Sequence, residues 1–294
     1  TSKKQLNLLN AQDVDQWFCK NKPDIVILAA AKVGGILAND NYPVNFLLEN
    51  LKIQNNVIES AWKAGTRRLL FLGSSCIYPK LAKQPIKEEY LNSGELEKTN
   101  QWYATAKISG IKLCEAYKKQ HNFDSICLMP TNLYGPGDNY HSKNSHVIPS
   151  LIKRFYDAKS TNKSEVICWG SGNPKREFLH VEDLAEASIF ALKYWNPKFE
   201  NGILSNNLSS QLHINVGTGK DLTIKELAEE IASIIGYMGK IKWDTTKEDG
   251  TPQKLLDVSK LKNLGWSSKI DLQNGLRDTF ENFKEELANG KLRI

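Results

Sequence analysis

Arg68-Leu-Leu-Phe-Leu-Gly-Ser-Ser-Cys76 is the stretch that decides the fold. Its apolar residues run without polar alternation, the composition of a strand covered on both faces. The run then opens into Gly73, Ser74, Ser75 and Cys76. A similar β-branched run, Asp24-Ile-Val-Ile-Leu-Ala-Ala30, lies upstream, and Ser125-Ile-Cys-Leu-Met129, closed by Pro130, lies downstream. Between the first two runs an amphipathic stretch from Pro43 to Ala64 ends at Gly65, and Asn100 to Lys119 reads as a helix. Strand and helix in alternation predict an α/β fold, a parallel sheet wrapped by helices. Ser74 then falls at the carboxyl end of a strand, where open α/β sheets place their ligands.

The helix after that strand carries Tyr103-Ala-Thr-Ala-Lys107. Residues four apart share a helical face, so a phenol and an ammonium stand side by side. A neighbouring positive charge is expected to favour the phenolate and lower the tyrosine's pKa. Such a tyrosine can give a proton to a carbonyl oxygen while hydride reaches the same carbon. The spacing alone is not diagnostic: Tyr194-Trp-Asn-Pro-Lys198 repeats it, and Pro197 forbids a regular helix there.

The 294 residues are 40% hydrophobic and 24% charged, enough for one large domain or two modest ones. The longest apolar run is too short to cross a bilayer, and no charged-then-apolar leader opens the chain, which reads as soluble and cytoplasmic with no membrane partner. Five scattered cysteines without a CxxC pair fit reduced thiols, not a disulfide framework or a metal site. The net charge of +6 suits an anionic small molecule as well as an ordinary lysine-rich surface. No basic block interleaved with aromatics points to nucleic acid.

Farther along, 132–144 reads as a loop, 146–158 and 182–194 as helices, and Leu212 to Val216 as a strand running into Gly217-Thr-Gly219. Helices at 223–235 and 272–287 finish the chain, and the polar, turn-rich 196–210 is the expected disordered insert. Cys76 beside the serines is a candidate base if cationic groups lower its pKa, or else a small buried hydrophobe. His146, where loop turns into helix, is a candidate acid or a capping histidine. Arg154, Arg176 and Lys254 suit a diphosphate or are solvated charges. Trp169 suits base stacking or a core.

Taken together these residues resemble the short-chain dehydrogenase/reductase superfamily. Asn132-Leu-Tyr-Gly-Pro136, Arg176-Glu-Phe-Leu-His180-Val and Ile214-Asn-Val-Gly217 are similar to its extended, nucleotide-sugar-modifying branch. More narrowly, four blocks resemble the GDP-L-fucose synthases, which epimerise and reduce GDP-4-keto-6-deoxymannose. They are Ala29-Ala-Ala-Lys-Val-Gly-Gly35, Gly73-Ser-Ser-Cys-Ile-Tyr-Pro-Lys80 with Pro130-Thr-Asn-Leu-Tyr-Gly-Pro136, Asn144-Ser-His-Val-Ile-Pro149 and Gly250-Thr-Pro-Gln-Lys-Leu-Leu-Asp257. The resemblance implies a Rossmann-type doubly wound sheet over 1–132 and 179–217, with a smaller α/β GDP-sugar domain over 133–178 and 218–294. It implies Cys76 as base and His146 as acid at the carbons flanking a 4-keto group. Ser74, Tyr103 and Lys107 would then serve a reduction by NADPH. Lys3, Ala30, Tyr103, Lys107 and His146 would hold that cofactor; Asn132, Val147, Leu151, Arg154, Trp169, Arg176 and Lys254 would line the GDP-sugar site. A homodimer packed through the helices over 43–64 and 100–119 is also implied.

The family opens with a strand, a Gly-rich turn and a helix that binds the cofactor pyrophosphate. No such glycine pattern precedes Ile25, and the chain starts at Thr1 without a methionine. The expectation is therefore a sheet lacking its first strand, Gly-rich loop and first helix. Two other functions stay open at this level: an NAD-dependent nucleotide-sugar 4-epimerase or dehydratase, and a truncated nucleotide-sugar binder without catalysis.

Overall fold

In the computed structural model residues 4–142, 144–197, 199–200, 203–204, 211–247 and 249–294 are described. In chain order the elements are α1 (Ala11–Asn21), β1 (Ile25–Leu28), α2 (Ile36–Asn41), α3 (Asn50–Lys63), β2 (Arg68–Leu72) and α4 (Gln101–His121). There follow β3 (Ser125–Pro130), β4 (Asn132–Tyr134), α5 (Val147–Ser160), β5 (Glu165–Trp169), β6 (Lys175–His180) and α6 (Val181–Tyr194). The chain ends with β7 (Phe199–Glu200), β8 (Ile203–Leu204), β9 (His213–Val216), β10 (Asp221–Thr223), α7 (Ile224–Ile235), β11 (Lys240–Asp244), β12 (Gln253–Lys254), α8 (Ser259–Asn263) and α9 (Leu272–Ala288).

The expected parallel sheet is present, in the order β1-β2-β3-β9. Every neighbouring pair in it is parallel. β3 is buried at all of its positions, as its unbroken apolar composition requires. One expectation is corrected here: β1 is not covered on both faces. Among the described residues it pairs with β2 alone, and Ile25 and Ile27 are 44% and 48% exposed. An apolar run fixes the strand, but only its neighbours fix how much of it is covered.

Two apolar cores sandwich this sheet. One joins Val57, Ile58, Phe71, Ile111 and Cys127; the other joins Leu70, Leu128, Leu184, Ala187 and Val216. A third core, around Ile152, Phe155, Leu227, Ile231 and Phe283, unites α5, α7 and α9. α7 shows why its ends lie where they do. Thr223 and Glu226 form a reciprocal capping box at its start, and Gly236 takes a left-handed conformation at its end. A short second sheet, β10-β6-β12, with β4 also on β6, bridges the cores.

The helix over 43–64 is not uniform: a π-helical turn over Asn45–Glu49 precedes α3. Most of 196–210 lies outside the described residues, as do Lys3 and Lys198.

Candidate active site

β2 ends at Leu72, and Ser74 follows in an extended conformation that caps a short 3₁₀ turn, Ser75–Ile77. The Cys76 amide N–H donates to Ser74 Oγ at 3.2 Å. Ser74 and Cys76 are half-buried while the residues between and beyond them are buried. Ser74 also shares a hydrogen bond with the Tyr103 phenol. The structure thus brings Ser74 and Tyr103 into contact.

Lys107 is one turn farther along α4, 3% exposed. Its ammonium donates to the Leu72 carbonyl at 2.8 Å and sits 4.8 Å from the Phe71 ring and 5.7 Å from the Tyr103 ring. The expectation that this cation lowers the Tyr103 pKa is overturned for the unliganded protein. Burial pushes the phenol upward, and the facing Cys76 thiol adds to that, while the Ser74 hydrogen bond only partly opposes it. Burial likewise pulls Lys107 down to about 8. The ion–phenol attraction inferred from spacing is outweighed by desolvation of both groups.

Around Cys76 two donors converge. Lys254 Nζ and Asn100 Nδ2 each lie 3.7 Å from its sulfur. Asn100, the residue before α4, was not singled out from the sequence. The available signal was its place three residues ahead of Tyr103, on the same helical face. Arg176 belongs to this cluster too. Burial lowers its pKa, while the thiol, Asp249 and Glu97 pull it back up. Lys254 and Arg176 are register partners in β12 and β6, which explains why both reach one place.

His146 caps α5 without bonding its amides through the side chain. Asp138 faces it across the loop, its own pKa raised by burial with His146 and Arg293 opposing. Two glycines dock this loop on the tyrosine side. Gly35 N–H donates to Asn144 O at 3.1 Å, and a Cβ on Gly35 would lie 2.7 Å from Ser145 O. A Cβ on Gly34 would lie 3.1 Å from the ring of Phe46, which meets Tyr103 edge-on at 6.4 Å. A larger residue at Gly35 would push the histidine loop away, and one at Gly34 would press on Phe46.

The remaining candidates divide. Arg154 donates to Ile167 O at 2.8 Å and lies 5.7 Å from the ring of Trp169, which is 52% exposed. Trp169 is thus a free indole face with a cation beside it, not a core residue. Asn132 spends its amide on Glu177 O at 2.8 Å. Ala30 is exposed just past β1, and Val147 is half-buried at the start of α5. Leu151 departs from expectation: at 4% exposure it belongs to the third core, because its position on α5 faces inward with Ile148, Ile152 and Phe155.

These residues fit a nicotinamide dinucleotide at the carboxyl end of the sheet. A lysine ammonium offers three N–H donors, and the Leu72 carbonyl takes one of those on Lys107. The others, with the Tyr103 hydroxyl, suit ribose oxygens.

The chain belongs to the NAD dependent epimerase/dehydratase family, whose model matches residues 2–205. Its relatives narrow the comparison. It is 54% identical over 287 residues to the Putative GDP-L-fucose synthase 2 of Arabidopsis thaliana, covering 98% of this chain and 84% of that one. To the GDP-L-fucose synthase of Escherichia coli (strain K12) it is 52% identical over 281 residues, covering 96% and 86%. Among solved structures, the GDP-mannoheptose C4 reductase MlghC from Campylobacter jejuni, with NADP bound, superposes with a TM-score of 0.84. That match has 36% identity and covers 97% of this chain and 88% of the other.

Proposed function

We propose that the protein converts GDP-4-keto-6-deoxy-D-mannose to GDP-L-fucose, by epimerisation at the two carbons flanking the ketone and then reduction at that ketone. The observation that carries this reading is the contact of three groups: Ser74 hydrogen-bonds the Tyr103 phenol, and the Cys76 thiol faces that same phenol. An acid–base thiol stands beside the serine–tyrosine pair of a ketone reductase, and reduction alone gives that thiol no task. The relatives named GDP-L-fucose synthase, at 52% identity and above, support it.

In this reading the Cys76 sulfur takes the proton from a carbon next to the carbonyl. Ser74 and Tyr103 donate hydrogen bonds to the oxygen that gains charge, and His146 returns a proton from the opposite face. Because the ketone acidifies both neighbouring carbons, one arrangement serves both inversions. NADPH, when bound, supplies the hydride that ends the sequence. Tyr103 gives its proton to the carbonyl oxygen, and the charged Lys107 ammonium beside it favours the phenolate left behind. Arg154, Arg176 and Trp169 are the groups suited to a diphosphate and a guanine ring.

We further place the boundary between cofactor-binding and sugar-binding units near 132, 179 and 217; α5, α7 and α9 share the third core, while Leu256, Leu261 and Trp266 return to the cores of the sheet. A homodimer through the segments 43–64 and 100–119 suits the exposed Val44, Leu48 and Trp102; sedimentation equilibrium reads it. No helix among the described residues is long and apolar enough to cross a membrane, and the five cysteines stand free, which suits a reducing cytoplasm.

The test is to supply GDP-4-keto-6-deoxymannose with NADPH. Loss of NADPH absorbance together with GDP-L-fucose is the expected result. Oxidation giving only an unepimerised 6-deoxyhexose would overturn the epimerase half, and no oxidation the whole.

A further inference from the structure

Lys254 is placed to act on Cys76, not only on an anionic substrate. Its ammonium lies 3.7 Å from the sulfur, and the Asn100 amide donates to the same atom at 3.7 Å. Two N–H donors aimed at one sulfur both use it as an acceptor. A thiol accepts weakly; a thiolate accepts well.

The lysine is held there by more than its own side chain. β12 pairs with β6, putting Lys254 opposite Arg176. Gln84 then brackets the position: its Nε2 donates to Gln253 O at 3.1 Å, and its Oε1 accepts from Leu255 N–H at 2.9 Å. The next amide, Leu256 N–H, donates to the buried Glu177 carboxylate at 2.9 Å, and Ile86 N–H donates to Leu255 O at 2.7 Å. The backbone on both sides of Lys254 is thus fixed by four hydrogen bonds from other segments. Such anchoring suits a side chain that must meet one atom, whereas a diphosphate tolerates a mobile lysine.

We infer that Lys254 is a positioning residue that keeps Cys76 as the thiolate, ready to take a proton from carbon. The inference rests on the reading of Cys76 as the base. The charged and titratable groups facing the sulfur are Tyr103 from α4, Arg176 from β6 and Lys254 from β12. Of these, Lys254 alone is within hydrogen-bonding reach of it, while Arg176 also answers to Asp249 and Glu97. When the thiolate takes the carbon-bound proton it becomes a neutral thiol, and the electron pair moves to the carbonyl oxygen. Lys254 keeps its proton throughout, and the thiol later loses its own to solvent.

The experiment titrates Cys76 in the unliganded protein, by the pH dependence of its alkylation with iodoacetamide, quantified on the Cys76 peptide. Lys254→Met should move the midpoint upward by about one to two pH units and slow alkylation at neutral pH about tenfold or more. Lys254→Arg should restore most of the reactivity. In turnover, Lys254→Met should lose solvent-deuterium incorporation at neutral pH and regain it as pH rises. An unchanged alkylation midpoint in Lys254→Met would overturn the inference, as would an Arg variant no better than Met. Because the titration needs no substrate, it can fail while GDP-L-fucose formation is confirmed, and succeed while that formation fails. Lys254 is half-exposed, and thermal unfolding of each variant checks that it folds.

Discussion

Replacing Lys107 by Met should stabilise the unliganded protein while disabling it. The ammonium is 3% exposed, and burial lowers its pKa from 10.5 to about 8. That fall corresponds to about 3 kcal/mol at ~1.4 kcal/mol per pH unit. The sign follows from which state holds the proton more tightly. Between about pH 8 and 10.5 the unfolded chain is the more protonated, so Lys107 makes stability rise with pH there, and its penalty is complete only below about pH 8.

Methionine keeps much of the volume and the contact with the Phe71 ring but gives up the hydrogen bond to the Leu72 carbonyl. That loss costs about 1 kcal/mol. The net gain at pH 7 should be about 2 kcal/mol. At pH 9 the residual penalty in the parent is about 2 kcal/mol, so the advantage should shrink to about 1 kcal/mol. Urea unfolding of parent and variant at both pH values reads the difference directly. Subtracting the two removes the contributions of groups that the substitution does not touch. A variant less stable than the parent at pH 7, with a gap that does not change with pH, would refute the claim that the buried ammonium is strained.

Two further perturbations probe the scaffold. Burial pulls the pKa of His213 from 6.5 to about 4, so this histidine contributes stability above about pH 6.5 that is lost as pH falls toward 4. The loss should reach about 3 kcal/mol, and His213→Gln should flatten the fall in urea midpoint between neutral and acid pH. Gly110→Ala places a Cβ 2.5 Å from the Phe71 ring and 2.9 Å from Gln54 Oε1. The helix-propensity gain of about 1 kcal/mol should be exceeded by an overpacking cost of about 1–3 kcal/mol; a raised melting temperature would show that the α4 contact on the sheet can yield.

The strands and helices that carry chemistry were legible because their signals are local. Leu69 to Leu72 is a continuous apolar run, and α4 has a spacing that no strand accommodates. Depth was not legible. The same spacing that paired Tyr103 with Lys107 says nothing about how much water either retains, and desolvation decides both pKa directions. Ile25 and Leu151 fail in the same way, from opposite sides: one reads as core and is half in solvent, the other reads as site lining and is core. Short elements were missed for another reason. α1 went unread although Asn10 caps it through the Gln12 and Asp13 amides. Among the described residues β5 and β11 pair only with each other, leaving no long apolar run to see.

What brings the site together is polar and mostly invisible to hydropathy. Cys76 and Tyr103 ride on the core that holds Ile77 and Ile111. Arg176 arrives from β6, beside Phe178 of another core, and Lys254 stands two residues before Leu256, which returns to the first. Apolar packing therefore decides which layers meet and leaves the register of the polar groups free. Asn215, fully buried in β9, closes that freedom. It accepts from the Tyr78 hydroxyl at 2.6 Å, two residues beyond Cys76, and donates to Ile86 O at 2.9 Å and Asp257 O at 3.1 Å. Its own amide N–H donates to Glu88 at 3.0 Å, and Glu88 in turn pairs with Lys260 at 3.1 Å. Glu177 does the same for the other side, accepting from Gly219 and Leu256 N–H at 2.7 and 2.9 Å. A buried polar group left without these partners costs about 1–3 kcal/mol, so each alternative placement of the Cys76 turn against β12 is penalised at several atoms at once. Apolar cores choose the layers, and this network chooses the register in which thiol, phenol and lysine meet.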